Sequence, residues 1–311
     1  MSYLNRLACG LGVGTLALIA ASAQAQDTAP SSSGPTVRFE GKAGAEYNSN
    51  VAVQDLDTNT GQGDWAATIN GLVEVSGKPM DQLTLRGGYE FSQTLHEEFD
   101  AFDLTLHRGF AEAAYDFRFA TIGVLGNVAQ ANLDGDEYLT FTQVSPYISK
   151  QVGDTLFLRA SYARTDKSFE GRPERDATSD SLAADAYFFL DGTKRYIAIS
   201  GKAIEEEANA DELDFSGGSA RVRLVQRFDA LDREVTLRAG VEYEQRDYEA
   251  PTPAIGAPRE DKRTGVDLSL EAPITETVFV EGAYRFGGYQ SNLASADYDE
   301  HVASLKLGVK F

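Results

Sequence analysis

The sequence predicts an all-β fold: a transmembrane antiparallel up-and-down β-barrel of about fourteen strands, with short periplasmic turns and longer extracellular loops. Three observations predict it. The chain opens on an apolar leader. Alternating apolar and polar residues then recur in segments of roughly 9–12 positions, and the connections between segments alternate between short and long.

Residues 1–25 read as a cleaved signal peptide. Arg6 supplies a short positive region, residues 7–21 are apolar and rich in small side chains, and Ala23-Gln24-Ala25 has the small-x-small form of a cleavage site. Cleavage is therefore expected between Ala25 and Gln26. Cys9 lies near the start of the apolar run instead of after it, which argues against a lipoprotein, and the mature chain keeps no cysteine. This argues against a thiol nucleophile, a Cys-ligated metal or a redox role. After the leader no apolar run reaches the roughly 18 residues that a membrane helix needs. The formal charge of −20 works against non-specific attraction to nucleic acid, so no nucleic-acid partner is expected.

Residues 26–35 (QDTAPSSSGP) read as a flexible periplasmic lead-in and residues 36–311 as the barrel. Short connections fall at 78–81, 116–118, 151–154, 191–193, 229–233 and 273–276. Longer, more acidic ones fall at 50–63, 95–102, 133–137, 169–179, 205–212, 248–263 and 290–296. Interleaving the two sets leaves both termini on the short-turn side, as single-chain bacterial barrels require.

Each strand has one apolar and one polar face, because successive side chains point to opposite sides. Ala303, Leu305, Leu307, Val309 and Phe311 share a face against Ser304, Lys306, Gly308 and Lys310. Val278, Val280, Gly282, Tyr284 and Phe286 oppose Glu281 and Arg285, while Leu83, Leu85, Gly87, Tyr89 and Phe91 oppose Thr84, Arg86, Gly88 and Glu90. Aromatics near strand ends (Tyr47, Tyr89, Tyr115, Phe117, Tyr147, Phe228, Tyr243, Tyr284, Phe286) read as interfacial girdles. The alternation slips near Arg108 and Tyr187, where a β-bulge is expected.

Charged residues on the polar faces are too costly for lipid, where Arg or Lys at the midplane costs about 2–4 kcal/mol. The expected pore-lining set is Arg86, Glu90, Arg221, Arg223, Arg238, Glu242, Glu244, Asp267, Glu271, Glu281, Arg285, Lys306 and Lys310. They read equally well as a cross-strand ion-pair lattice or as a selectivity path. No long plug is evident, although the N-terminal segment or a mid-length loop could fold inward.

Both ends of the barrel region carry a resemblance. Gly44-Ala45-Glu46-Tyr47-Asn48-Ser49-Asn50-Val51 resembles the first-strand signature of outer-membrane β-barrel porins. Tyr284-Arg285-Phe286, Gln290-Ser291-Asn292, Tyr298-Asp299-Glu300-His301 and the final Lys-Leu-Gly-Val-Lys-Phe resemble the last two strands of that group. This ending is also similar to the C-terminal barrel of surface lipoprotein assembly modifiers, whose helical repeat domain has no counterpart here. The resemblance implies an outer-membrane location in a Gram-negative bacterium and contact with lipid and lipopolysaccharide. It also implies insertion by the barrel-assembly machinery, with Phe311 as the terminal insertion signal.

Chemistry is weakly signalled. His96 and His301 have acidic neighbours (Glu97, Glu98, Asp299, Glu300), and 134–137 and 205–207 are acidic patches without the spacing of a calcium loop. No enzyme activity, no cofactor and no metal site are expected. The first functional reading is a porin-like channel whose acidic mouth favours cations. The alternatives are an export or assembly barrel with a periplasmic partner, a non-conducting structural barrel and a rim enzyme.

Overall fold

The structure is a computed structural model and describes residues 35–230 and 233–311. The expected signal peptide, its Ala25–Gln26 cleavage site and nearly all of the 26–35 lead-in lie outside the described residues.

Sixteen strands follow in chain order: β1 (Thr36–Asn48), β2 (Ala52–Val53), β3 (Thr58–Asn59), β4 (Asp64–Met80), β5 (Leu83–His96), β6 (Leu104–Asp116), β7 (Thr121–Leu133), β8 (Asp136–Val152), β9 (Leu156–Phe169), β10 (Ala177–Asp191), β11 (Arg195–Ala208), β12 (Phe215–Ala230), β13 (Arg233–Thr252), β14 (Ala257–Pro273), β15 (Val278–Ser291) and β16 (Tyr298–Lys310). All but β2 and β3 form one closed antiparallel barrel, each strand paired with its sequence neighbours and β1 sealed against both β4 and β16. Closure satisfies every strand edge, which a sheet inside a membrane requires.

The outer surface is the apolar face. Leu305 and Leu307 of β16, Val241 and Tyr243 of β13, and Leu85 and Tyr89 of β5 all stand exposed there. Trp65 stacks beside Tyr47 at 5.3 Å and Tyr115 beside Phe117 at 4.6 Å, in keeping with aromatic girdles. Tyr147 corrects that expectation. Its ring points into the barrel across Gly123, where a Cβ would collide with it, and its hydroxyl donates to Glu112 Oε1 at 2.6 Å.

The expected bulge at Arg108 is absent: β6 pairs in unbroken register with both neighbours. The alternation slips there because Leu106 and Phe110 are apolar yet point inward with Arg108. Near Tyr187 the register does shift, but at the strand end between Phe189 and Asp191. The 248–263 stretch, expected to be a loop, is mostly strand, with Pro251 facing Pro258 and Thr252 facing Ala257. Outside lipid the polar chain keeps its backbone hydrogen bonds by prolonging the ladder.

Candidate functional site

The expected charged residues all stand on inward faces, and most are tied into ion pairs between strands. Arg86 Nη2 lies 2.7 Å from Glu112 and its Nη1 3.5 Å from Glu74. Glu90 pairs with Arg108 at 3.0 Å, and Arg108 also donates to Asn127. Arg221 reaches Asp267 at 2.8 Å and Glu242 at 3.6 Å. Asp267 has room to lie across the wall because its register partner is Gly240, where a Cβ would strike its carboxylate. Glu271 joins Arg238 at 3.2 Å and Lys310 at 3.0 Å. Glu281 meets Lys42 at 3.1 Å, Arg285 meets Glu300 at 3.0 Å, and Lys306 meets Glu46 at 3.7 Å. Glu244 sits between Arg246 at 2.6 Å and Arg263 at 3.5 Å. Arg223 alone of the expected set has no carboxylate partner among the described residues.

Several of these partners are not in the expected pore-lining set, Arg108, Glu112, Arg246 and Glu300 among them. Their signal was strand parity: each lies an even number of residues from an expected inward charge on its own or a neighbouring strand. The inner wall is not uniformly polar, however. Leu106, Ala129, Ala131, Leu139, Phe141 and Phe169 of β6–β9 form a buried apolar patch toward the long-loop end.

The first long connection, residues 49–63, covers that patch. Strands β2 and β3 pair as a miniature ribbon, closed by a 3-10 turn over Gln54–Leu56 and by Asp57 in the left-handed region at φ 53°. Val53 packs into the patch and Leu56 against it, with Val51 2% exposed. Burying such side chains is worth about 1.5–3 kcal/mol each. Polar contacts then spread the ribbon across the mouth. Asn59 Nδ2 donates to the Ser295 carbonyl at 2.8 Å, and Gln54 donates to the Tyr289 hydroxyl. Asp57 receives Arg259 of β14 at 2.8 Å on one carboxylate oxygen and Arg175 of the β9–β10 connection at 2.8 Å on the other. Arg175 also donates to the Asp55 carbonyl at 2.7 Å. Strands β9 and β10 stand opposite β1 in the strand order, so the ribbon crosses the barrel from one side to the other.

The two aspartates of this ribbon differ in charge economy. Burial disfavours ionised Asp55 and raises its pKa, with Lys167, Arg246 and Arg263 opposing and Glu206 reinforcing the shift. Its Oδ2 has no hydrogen-bond partner among the described residues. Burial also acts against ionised Asp57, but Arg259 and Arg175 outweigh it and hold that carboxyl below the usual range.

The histidines separate by face. His96 bonds Asp103 through its backbone nitrogen at 2.6 Å, with Nδ1 3.4 Å from the same carboxylate oxygen. His301 and His107 point outward, each with its Nδ1 on a tyrosine hydroxyl: Tyr284 at 2.8 Å and Tyr89 at 2.6 Å. Glu300, next to His301, faces inward to Arg285, so the two form no His–carboxylate pair. Strand parity likewise splits the 205–207 patch, turning Glu206 inward onto Lys167 at 2.8 Å. No group of three or more His, Cys, Asp or Glu is arranged to hold a metal ion among the described residues. Phe311 pairs with Phe39 through both backbone hydrogen bonds and exposes its ring outward.

No family model matches the chain. No curated protein sequence matches it either. Solved structures do. A loop-deletion mutant of OmpT, an outer membrane protein of Vibrio cholerae, is similar at TM-score 0.50 and 13% identity, covering 89% of this chain and 99% of that one. An anion-selective porin from Comamonas acidovorans is similar at TM-score 0.52 and 9% identity, again covering 89% and 99%. At these identities the likeness concerns the fold, and with the apolar outer belt it identifies an outer-membrane β-barrel of bacterial type. One expectation is corrected here. The sequence predicts no enzyme activity, but likeness to OmpT removes the ground for that expectation, because one barrel fold hosts unrelated functions.

Proposed function

We propose that this outer-membrane barrel is a porin-like channel passing small polar solutes or ions through its charged lumen, with the 49–63 ribbon setting the width of the mouth. One observation carries the reading: an inward-folded loop, held by Asp57 to Arg175 and Arg259 on separate parts of the wall, lies over a lumen lined with charge. Fixed charges on a rigid wall set the field along an aqueous path. A barrel serving only as a structural element has no need of inward charges held this way, since apolar filling removes the desolvation cost.

In this reading the long-loop end faces outward and its acidic side chains concentrate cations at the mouth. Phe311 serves as the insertion signal read by the barrel-assembly machinery, and the apolar belt meets lipid and lipopolysaccharide. The expected pore-lining residues other than Arg223 act in pairs, so replacing one partner alters the field as well as the wall.

The test is single-channel conductance of the refolded mature chain in a planar bilayer, with a reversal potential in a salt gradient. Stable openings, and a changed reversal potential in Glu242→Lys or Asp267→Lys, are expected. A folded, heat-modifiable barrel that never conducts overturns the reading.

A further inference from the structure

Six inward arginines, Arg86, Arg108, Arg221, Arg238, Arg246 and Arg285, each have a carboxylate oxygen within 3.2 Å. Arg159 and Arg223 have none among the described residues. Arg159 is 4% exposed, and neither of its terminal nitrogens makes a hydrogen bond there. Its guanidinium lies over the Tyr147 ring at 3.7 Å, and that ring is fixed by its hydroxyl bond to Glu112. The acid in register with Arg159 is Asp185, which instead accepts the Ser200 hydroxyl at 2.6 Å.

Arg223 stands between small residues, Ala198 on β11 and Gly240 on β13; the Asp267 carboxylate lies over Gly240 and acts on Arg223 without a salt bridge, and the Arg223 Nε has no hydrogen-bond partner among the described residues. Around the wall Arg223 faces Ala198 and Ala198 faces Tyr187, while Arg159 faces Asp185, two residues from Tyr187 on the same side of β10, so the two arginines flank one stretch of the inner wall. A layer nearer the short turns, Tyr187, Phe189, Tyr196 and Val225 close that region with an apolar cluster.

A buried guanidinium left without a hydrogen-bonded counter-charge, as at Arg159, is costly unless something supplies the acceptor. A guanidinium fork is matched best by two oxygens of one anion, in parallel charge-assisted hydrogen bonds. Chloride, a single sphere, cannot use that geometry.

We infer that Arg159 and Arg223 form a lumenal station for small oxyanions, which bind between β9 and β12 on the way through the barrel. This deepens the channel reading and rests on it by naming the solute class. The acidic mouth then acts as a screen that a small anion crosses before meeting the arginines.

The probe is inorganic sulfate. Calorimetric titration of the refolded full chain in detergent, against chloride at matched ionic strength, should show saturable sulfate binding. Arg159→Gln and Arg223→Gln should each weaken it about tenfold, the loss of one charge-assisted hydrogen bond. Arg164→Gln, on the outer face and paired with Asp180, should leave it unchanged. Heat-modifiability reports folding, and the half-buried Arg223 carries the test if the Arg159 variant misfolds. In planar bilayers sulfate should reduce chloride conductance to a plateau in the wild type and less in the variants. Sulfate binding without any conduction supports the station and overturns the channel. Conduction with no saturable sulfate binding, or binding unchanged in both variants, overturns the station and leaves the channel standing.

Discussion

Asp57 Oδ1 lies 2.8 Å from Arg259 Nη1, and that contact pins the first long connection to a strand far along the wall. Since Arg175 takes the other carboxylate oxygen, one side chain joins three parts of the barrel. Asp57→Asn should weaken both charge-assisted bonds, each worth about 1.5–3 kcal/mol. Larger single-channel conductance and faster proteolytic nicking within 49–63 are expected, with the barrel still heat-modifiable. Unchanged conductance would show that the ribbon does not set the width of the mouth.

The same ribbon should respond to pH through Asp55. Its pKa is raised in the docked ribbon, so the docked form binds a proton more tightly than the undocked form. Docking therefore strengthens as pH falls toward the carboxylate range and weakens as pH rises through the raised value. Asp57 has the opposite sign: its stabilisation is present above the ordinary aspartate range and lost below it. Conductance should thus fall as pH is lowered from neutral toward the carboxylate range, and Asp55→Asn should remove most of that change. A flat profile in the wild type would dismiss the assignment.

The Arg238–Glu271–Lys310 group offers a test of the wall. Arg238 and Glu271 side chains are 6% and 5% exposed, so removing the shared acid leaves buried positive charge behind. Glu271→Gln should cost about 3–5 kcal/mol in a urea unfolding titration in lipid vesicles. A cost below 1 kcal/mol would mean that water reaches these groups freely.

Position on the outer face predicts a different penalty. Leu305 is 65% exposed on the apolar belt, and Leu305→Lys should destabilise the barrel by about 2–4 kcal/mol if it lies near the midplane. Asp211→Lys, in the connection before β12, should stay within about 0.5 kcal/mol. Equal effects at both positions would count against a lipid-facing belt.

The amino-acid sequence by itself determined the strands, their parity and the inward placement of its charges. Period-2 alternation is a local property, and lipid leaves a charged side chain of Lys306 or Glu271 only one face to occupy. Strand β6 shows where that logic stops. Its alternation slips at Arg108, and no local rule could tell a bulge from apolar residues turned inward beneath a distant loop. What Leu106 and Phe141 pack against depends on Val53 and Leu56 arriving from another part of the chain. Ion-pair choices were undecided for the same reason: parity says that Arg221 faces in, but register around the closed wall selects Asp267 and Glu242 as its partners. Only closure of the barrel placed Arg175 and Arg259 where one aspartate could bridge them, and left Arg159 and Arg223 without a salt bridge among the described residues.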